Sequence, residues 1–539
     1  MVARPLLSQR IPSAMAFSPA GCEITIFQAL LAARRAHGGK KVILSEPDGT
    51  SYTYDRMILA SLILGRKIKS LSRSGAPVGL LLPNVFGLVG AFLGLNAYGR
   101  PVAVLNYTSG IRNLTSALKT GQISLVVTSR RFIDKANLHD VIDALAKTQI
   151  APEKFAEIIY LEDVRADIGW RDKLMGALAA TFAARVAQRH VLNPRQTAVL
   201  LFTSGTEGVP KGVALTNTNI VANARQIFAH GNGHLTPADI VVNPLPMFHS
   251  FGLTAGTLMP IIAGMPVILY PSPLHYREIP KLIHDTKATV LFATDTFLAG
   301  YAKAAKAGDF NSLRFVIAGA ERVKDQTRAL WAATNVVILE GYGATECAPV
   351  IAVNVPGAIQ AGSVGRTLPA IETKLAPVAG IHEGGRLLVR GPNVMAGYML
   401  SDAPGIVQPP ADGWHDTGDI VTIDDGFITI RGRAKRFAKL AGEMVSLAAV
   451  ESLAANLWPD ANHVVVALPD VRKGEQLVLV TDKADAGKSD LLAYAQSNGF
   501  PELWVPRAIL IVPNIPVLAS GKTDLPATLE MARQTRPML

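Results

Sequence analysis

Apolar residues along this chain cluster in short continuous runs, and between the runs they recur at helical spacing. Val78–Leu82, Pro101–Leu105, Ser124–Thr128 and Thr197–Phe202 are such runs, bounded by Gly, Pro, Asn, Ser or Thr, which predicts buried strands. Ile26–Arg35 and Tyr54–Leu71 read as helices, with strands at Lys41–Leu44 and Ser51–Tyr54 around the turn Pro47-Asp48-Gly49. A second series follows: strands at Ile240–Val242, Thr289–Ala293, Leu313–Ala318 and Val336–Leu339, with a helix at Asp295–Lys306. Strands that are apolar on both faces and alternate with helices imply mostly parallel sheets covered on both sides, an α/β fold. Asp134 to Arg189 is charged and alanine-rich, predicting surface helices with a strand at Ile158–Leu161. No internal repeat or low-complexity tract is visible.

Between Arg73 and Arg100 there is no charged residue, a length that invites a membrane-spanning reading. Pro83 and Asn84 divide it, however, so strand, turn and buried helix (Val85–Tyr98) are expected rather than a span. Arg4 and Arg10 precede no sustained apolar segment, so no signal peptide is expected. At 539 residues the chain is too long for a single core, and 49% apolar with 18% charged residues excludes general disorder. Cys22 and Cys347 are the only cysteines and fit no metal spacing, which excludes a disulfide framework and favours a reducing, cytoplasmic location. The net charge of +11 suits an acidic partner: a carrier protein, polyphosphates or the inner face of an anionic membrane, as peripheral contact. A generally basic surface explains it equally well. No basic cluster interleaved with aromatics appears, so nucleic acid is not expected.

The richest chemistry lies in Thr203-Ser204-Gly205-Thr206-Glu207-Gly208-Val209-Pro210-Lys211-Gly212. The glycines let a bulky anion approach backbone N–H groups, the hydroxyls donate hydrogen bonds, and Lys211 adds a positive charge. A P-loop is excluded, because Pro210 precedes the lysine and Gly212 stands where Ser or Thr must follow. Further on, two strands end in small residues, at Gly319-Ala320-Glu321 and at Glu340-Gly341-Tyr342-Gly343-Ala344-Thr345-Glu346, where ligands sit in parallel sheets. Tyr342 offers a flat face for a base, Thr345 a hydroxyl for phosphate, and Glu346 a hard oxygen for Mg²⁺. His249 sits between Phe248 and Phe251, a setting equally compatible with a structural histidine.

The string T-S-G-T-E-G-x-P-K-G, followed at similar spacing by the histidine motif, Y-G-x-T-E, Asp412-Gly413-Trp414-His415-Asp416-Thr417-Gly418-Asp419, Arg431–Ser446 and Ser520-Gly521-Lys522, closely resembles the adenylate-forming superfamily of acyl-CoA synthetases, adenylation domains and beetle luciferase. The resemblance spans nearly the whole chain. It implies a large N-terminal domain (1–433) of two mostly parallel α/β sheet subdomains plus a β-rich subdomain. A small mobile α+β C-terminal domain (434–539) would follow. Gly362–Arg366 and Gly385–Gly391 look like the β-rich part, with Arg386 where the family often has Glu. In this family the phosphate-loop residues, Gly319–Glu321 and Glu340–Gly343 bind nucleotide, and Thr345 and Glu346 serve the α-phosphate and Mg²⁺. The histidine orients the carboxylate substrate, and the segment after Thr294 walls the acyl pocket. Asp419 would hold the ribose hydroxyls, Arg433 ribose or phosphate, and Lys435 would be the hinge. Lys439 and Gly442 would face the thiol acceptor, and Lys522 would bridge carboxylate and α-phosphate during adenylation. ATP, Mg²⁺ and a phosphopantetheine thiol, on CoA or a carrier protein, are the implied cofactors.

Glu207, Pro271–Tyr276, Thr294–Leu298 and Lys435-Arg436-Phe437-Ala438-Lys439 look like the ligase part of bacterial bifunctional acyl-[acyl-carrier-protein] synthetase/2-acylglycerophosphoethanolamine acyltransferases. That likeness implies a fatty acid as substrate and acyl carrier protein as acceptor and partner. The acyltransferase of that family carries an H-x(4)-D motif in a preceding domain for which this chain has no room, so lysophospholipid acylation is expected to need a partner. Two departures stand out: Arg436 replaces the aspartate common in the hinge, and Leu447 a frequent proline.

Overall fold

The computed structural model describes residues 17–191, 193–204, 210–378, 380–381, 383–440, 443–470, 474–517 and 523–535. Its contacts define two compact units: one reaches to Gln360 and includes Gly365–Glu372 and Arg390–His415, the other comprises Ala361–Val364, Thr373–Val389 and the chain from Asp416.

The first unit contains two α/β sheets of the same design. One orders its strands 366–367, 350–353, 337–343, 315–318, 290–293, 241–243, 267–269, 42–45 and 51–53. It is parallel from 42–45 through 337–343 and antiparallel at both ends. The other runs 407–408, 397–399, 210–216, 197–204, 102–104, 78–80, 125–128 and 157–160, again parallel apart from the three strands at one side. Strands such as Leu125–Thr128 and Val290–Ala293 are buried at every position, as continuous apolar runs require.

The uncharged stretch resolves into a strand, Val78–Leu80, and a core helix, Phe86–Ala97, buried throughout from Leu88. Glycines let this helix meet Tyr54–Leu71 backbone to backbone: a Cβ at Gly65 would lie 2.3 Å from the Gly94 carbonyl carbon, and one at Gly94 2.1 Å from the Ser61 carbonyl oxygen. Among the described residues, no helix is long and apolar enough to cross a membrane. Asn96 and Asn217, both buried, bond each other at 2.8 Å and accept the backbone N–H groups of Phe27 and Ile26, tying three helices together. Unpaired, such groups would cost about 1–3 kcal/mol each.

The second unit carries the antiparallel hairpin His415–Asp424/Phe427–Arg433 and an α+β portion. In that portion strands 443–446, 437–440, 474–481 and 463–470 are antiparallel, and 508–511 joins 474–481 in parallel. The expected hinge residue, Lys435, lies within this unit, in the single turn Ala434–Arg436.

Arg436 has a defined job there. Its guanidinium sits 2.5 Å from Glu451 and donates to the Val465 carbonyl at 2.9 Å, while the Val465 N–H donates to the same carboxylate at 2.8 Å. Both side chains are about four-fifths buried, at 20% and 21% exposure. Burial raises the Glu451 pKa, and Arg436 opposes it. Arg436→Ala should therefore destabilise the protein by about 3 kcal/mol at neutral pH, because a shielded carboxylate loses its cation. A raised folded-state pKa means the folded state holds the proton more tightly, so stability falls as pH rises through that pKa; the deficit should accordingly shrink on acidification. Adding Glu451→Gln should recover most of it in denaturant unfolding; an unchanged deficit in the double variant would contradict this role.

Candidate active site

The loop expected to bind phosphate connects two antiparallel strands. Strand Thr197–Ser204 pairs with Pro210–Thr216, setting Thr203 opposite Lys211. Gly205, Thr206, Glu207 and Gly208 lie outside the described residues, as does the Ser204 side chain. Strand Gly397–Met399 pairs on the far side of Pro210–Thr216, with Tyr398 opposite Val213. The Lys211 ammonium lies 5.3 Å from the centre of the Tyr398 ring, and the Tyr398 hydroxyl donates to Glu346 Oε1 at 2.7 Å. One tyrosine thus joins the exit strand of the phosphate loop to the Y-G-x-T-E motif. Sequence reading missed Tyr398; its signal was an aromatic residue after glycine in a short strand beyond Gly391-Pro392-Asn393.

Glu346 is held from both directions. Its carbonyl accepts the Met395 N–H at 2.8 Å, and the next carbonyl, that of Cys347, accepts the buried Asn393 amide at 2.7 Å. Upstream, the strand extends to Gly343, beyond the Leu339 expected from periodicity, and pairs with Val350–Val353. A Cβ at Gly343 would fall 2.3 Å from the Pro349 carbonyl oxygen, so only glycine permits the fold-back that places Thr345 and Glu346. Tyr342 is buried and Thr345 half-buried.

Ala320 adopts φ +69°, strain held in place between Gly319 and Glu321. The Glu321 carboxylate accepts the N–H and hydroxyl of Thr296 at 3.1 and 3.0 Å, anchoring the start of helix Asp295–Ala304. Glu340 accepts the Val323 N–H at 3.0 Å and pairs with Arg328. Both carboxylates are therefore committed to shaping the loop Gly319–Glu321 and its surroundings. Of the residues expected to wall an acyl pocket, Phe297 and Leu298 belong to the main hydrophobic core, Thr296 serves Glu321, and Ala299 and Gly300 are half-buried.

His249 is presented by a tightly held turn. The buried Asn84 amide bonds the Leu245 carbonyl at 2.5 Å and accepts the Met247 N–H at 2.9 Å, and Gly252 packs where a Cβ would meet the Pro246 carbonyl oxygen at 2.4 Å. Phe248 and Ser250 are buried, whereas His249 is exposed. Its ring lies 4.7 Å from Phe248, which stacks edge-on against Tyr107, whose pKa burial pushes up to about 12. A π-helical segment, Phe251–Leu258, follows immediately, stabilised by the Asn243 amide donating to the Gly252 carbonyl at 3.0 Å. Such segments recur at functional sites.

In the second unit, Asp419 and Arg433 face each other across the hairpin register, with Arg433 Nε 3.3 Å from Asp419 Oδ1. Asp419 is buried to 7% exposure, and its N–H bonds the Thr417 hydroxyl at 3.1 Å. Lys439 lies on strand Phe437–Leu440, beside the connection to Glu443–Ser446. The side chains of Lys435 and Lys439, and residues Gly442 and Lys522, lie outside what the structure describes.

Among the described residues, no three His, Cys, Asp or Glu side chains are grouped to hold a metal. Mg²⁺ needs no such cage: it is commonly bound by one or two carboxylates together with substrate phosphates. Glu346, with one oxygen held by a hydroxyl beside the lysine of a phosphate loop, fits that requirement.

Two mostly parallel α/β sheets, a β-hairpin unit and a terminal α+β portion, with these motifs at strand ends, define the fold of the adenylate-forming enzymes. The structure superposes on ATP-bound MatB from Rhodopseudomonas palustris with a TM-score of 0.79 at 22% identity, covering 95% of this chain and 99% of that one. The sequence profile of the AMP-binding enzyme family matches residues 31–399, and the chain belongs to that family. It is 29% identical over 445 residues to the long-chain-fatty-acid–CoA ligase of Salmonella typhimurium, covering 78% of each chain. It is 27% identical over 460 residues to 4-coumarate–CoA ligase 1 of Petroselinum crispum, covering 81% of each. The protein is an ATP-dependent, adenylate-forming ligase.

Proposed function

We propose that this ligase activates a medium- or long-chain fatty acid as its acyl-adenylate and transfers the acyl group to a phosphopantetheine thiol. The observation that carries the reading is the linked set Lys211, Tyr398 and Glu346, which puts a cation, a hydroxyl and a carboxylate where the phosphate loop ends. In the first half-reaction a carboxylate oxygen attacks the α-phosphorus and pyrophosphate leaves. Mg²⁺, when bound, neutralises phosphate charge. The phosphate-loop donors Thr203 to Gly208 and Lys211 hold the phosphates, Thr345 the α-phosphate, and Glu346 directs the cation. Such a displacement depends on positioning and electrostatics more than on covalent help from the protein. His249, exposed at the end of its turn, orients the incoming carboxylate. Tyr342 and the loop Gly319–Glu321 receive the base, and Asp419 and Arg433 the ribose. In the second half-reaction the thiol sulfur attacks the acyl carbonyl carbon, the C–O bond to AMP breaks and the thiol proton passes to solvent. The C-terminal portion, turning at Lys435, would bring Lys439 and Gly442 to the acceptor.

CoA as the acceptor is supported by the relatives named as CoA ligases. A carrier protein is a second reading, favoured by the hinge segment Lys435–Lys439 and the net charge of +11, which suits docking of an acidic partner. Mass spectrometry of products formed from ATP, Mg²⁺, a panel of C8 to C18 fatty acids and 4-coumarate, with CoA and holo-acyl carrier protein offered together, tests both the acid and the acceptor. Fatty acyl thioesters are expected, and the dominant acceptor decides between the readings. Coumaroyl product alone would overturn the fatty-acid assignment.

A further inference from the structure

Helix Trp170–Thr181 packs one face, with Gly176, Ala179 and Ala180, against helix Tyr54–Leu71 and the main core. Gly176 is its single fully buried residue, and a Cβ there would fall 2.1 Å from Ile63 Cγ1. On the opposite side, large apolar residues recur at helical spacing and face outward: Trp170 is 70% exposed, Leu174 53%, Met175 43%, Leu178 47%, and Phe182 just beyond the helix 49%. At 100° per residue these five fall within an arc of about 140° centred away from Gly176. A core helix would turn this arc inward; here it turns out.

We propose that this face docks the enzyme on an anionic lipid surface. Three features point to a bilayer rather than to a protein. Arginines cap the aromatic ends of the stripe, Arg171 stacking 5.4 Å from the Trp170 ring and Arg185 5.3 Å from Phe182, so the apolar body is bracketed by groups suited to the headgroup layer. From Arg165 to His190, five cations (Arg165, Arg171, Lys173, Arg185, Arg189) stand against Asp167 and Asp172, and Asp167 is paired with Lys67. Beside the stripe, Met175, Leu178, Phe182 and Tyr98 line an open cleft of about 320 Å³ whose polar end is Arg66 and Lys69, a seat for a headgroup phosphate above apolar walls. Burial, and after it the charges of Arg100, Arg189 and Arg66, hold the Lys69 ammonium below its usual pKa.

Charge complementarity decides among occupants. A second copy would bring like-charged rims together, whereas an anionic bilayer satisfies the cations and covers the apolar stripe at once. The inference rests on the surface alone and stands whatever acid the enzyme activates.

Co-sedimentation of the full chain with large vesicles tests it. Binding to phosphatidylcholine/phosphatidylglycerol vesicles should exceed binding to phosphatidylcholine alone by at least about tenfold and weaken with salt. Leu174→Glu/Leu178→Glu should reduce it about tenfold or more, with the unfolding midpoint unchanged because both residues are exposed. Arg171→Ala/Arg185→Ala should reduce the preference for the anionic lipid while leaving weak binding to the neutral one. Wild-type binding that ignores phosphatidylglycerol, or that survives the leucine substitutions, would overturn the proposal. So would a wild-type dimer, or a complex with holo-acyl carrier protein, that the leucine substitutions dissolve while vesicle binding persists.

Discussion

Glu346→Gln should lower kcat/KM for acyl-adenylate formation by about 10²–10³ without loss of fold, the size of effect seen when a pre-positioned electrostatic group is removed from a transferring centre. The amide has the same shape, and its carbonyl oxygen still accepts the Tyr398 hydroxyl that Glu346 accepts at 2.7 Å. The backbone of residue 346, bonded by the Met395 N–H, is untouched. What disappears is one negative charge. The apparent affinity for Mg²⁺ should therefore fall together with the rate, and high Mg²⁺ should recover part of the activity. Tyr398→Phe is the informative companion. It leaves the carboxylate in place but unsupported, and losses on removing such a supporting partner are typically about 10–100-fold. Pyrophosphate release measured across a Mg²⁺ titration checks both. A Glu346→Gln enzyme within threefold of wild type at low Mg²⁺ would remove Glu346 from the cation-directing role.

The same residues show what was legible in the chain. Continuous apolar runs placed most of the parallel strands, Val267–Leu269 being missed, and the helix Tyr54–Leu71 was placed residue for residue, because a buried strand and a half-buried helix leave different periodicities. The charge-free stretch was correctly read as strand, turn and core helix because Pro83-Asn84 interrupts it, and Asn84 turns out to anchor the His249 turn. Periodicity failed where the residue types do not advertise the strand. Pro210–Thr216 opens with proline, lysine and glycine, so nothing local marked it as a strand; its antiparallel neighbours impose that conformation. The extension of Val337–Gly343 past Leu339 has the same origin, since Gly341 and Tyr342 pair with Val353 and Ala352. The π-helical Phe251–Leu258 is bonded by the Asn243 side chain a short way upstream, a contact that no periodicity marks. Motif reading nominates candidate residues by type, but not which groups are already bonded within the fold. Glu340 looks as available as Glu346 in sequence, yet the Val323 N–H and Arg328 occupy both of its oxygens.

Lys522→Ala should also lower adenylation by about 10²–10³ with the fold intact, because a single charge aimed at a pentacoordinate phosphorus acts only as the transition state forms. Lys522 lies outside the described residues, but the chain on either side of positions 518–522 is bonded. Val517 and Thr523 form an antiparallel bridge, the Asp524 N–H bonds the Pro516 carbonyl at 2.8 Å, and the Asp524 carboxylate caps helix Leu525–Gln534 through the Ala527 N–H at 3.1 Å. A residue whose task is confined to displacement at phosphorus should leave the second half-reaction alone, so thioester formation from synthetic acyl-adenylate should proceed near the wild-type rate in Lys522→Ala. Lys522→Arg should not restore adenylation, since a planar guanidinium cannot replace a compact ammonium at a single point of contact. Single-turnover measurement of both half-reactions separates the cases. Equal losses in the two halves would show that Lys522 supports the C-terminal portion rather than the chemistry, and adenylation within threefold of wild type would remove it from the reaction altogether.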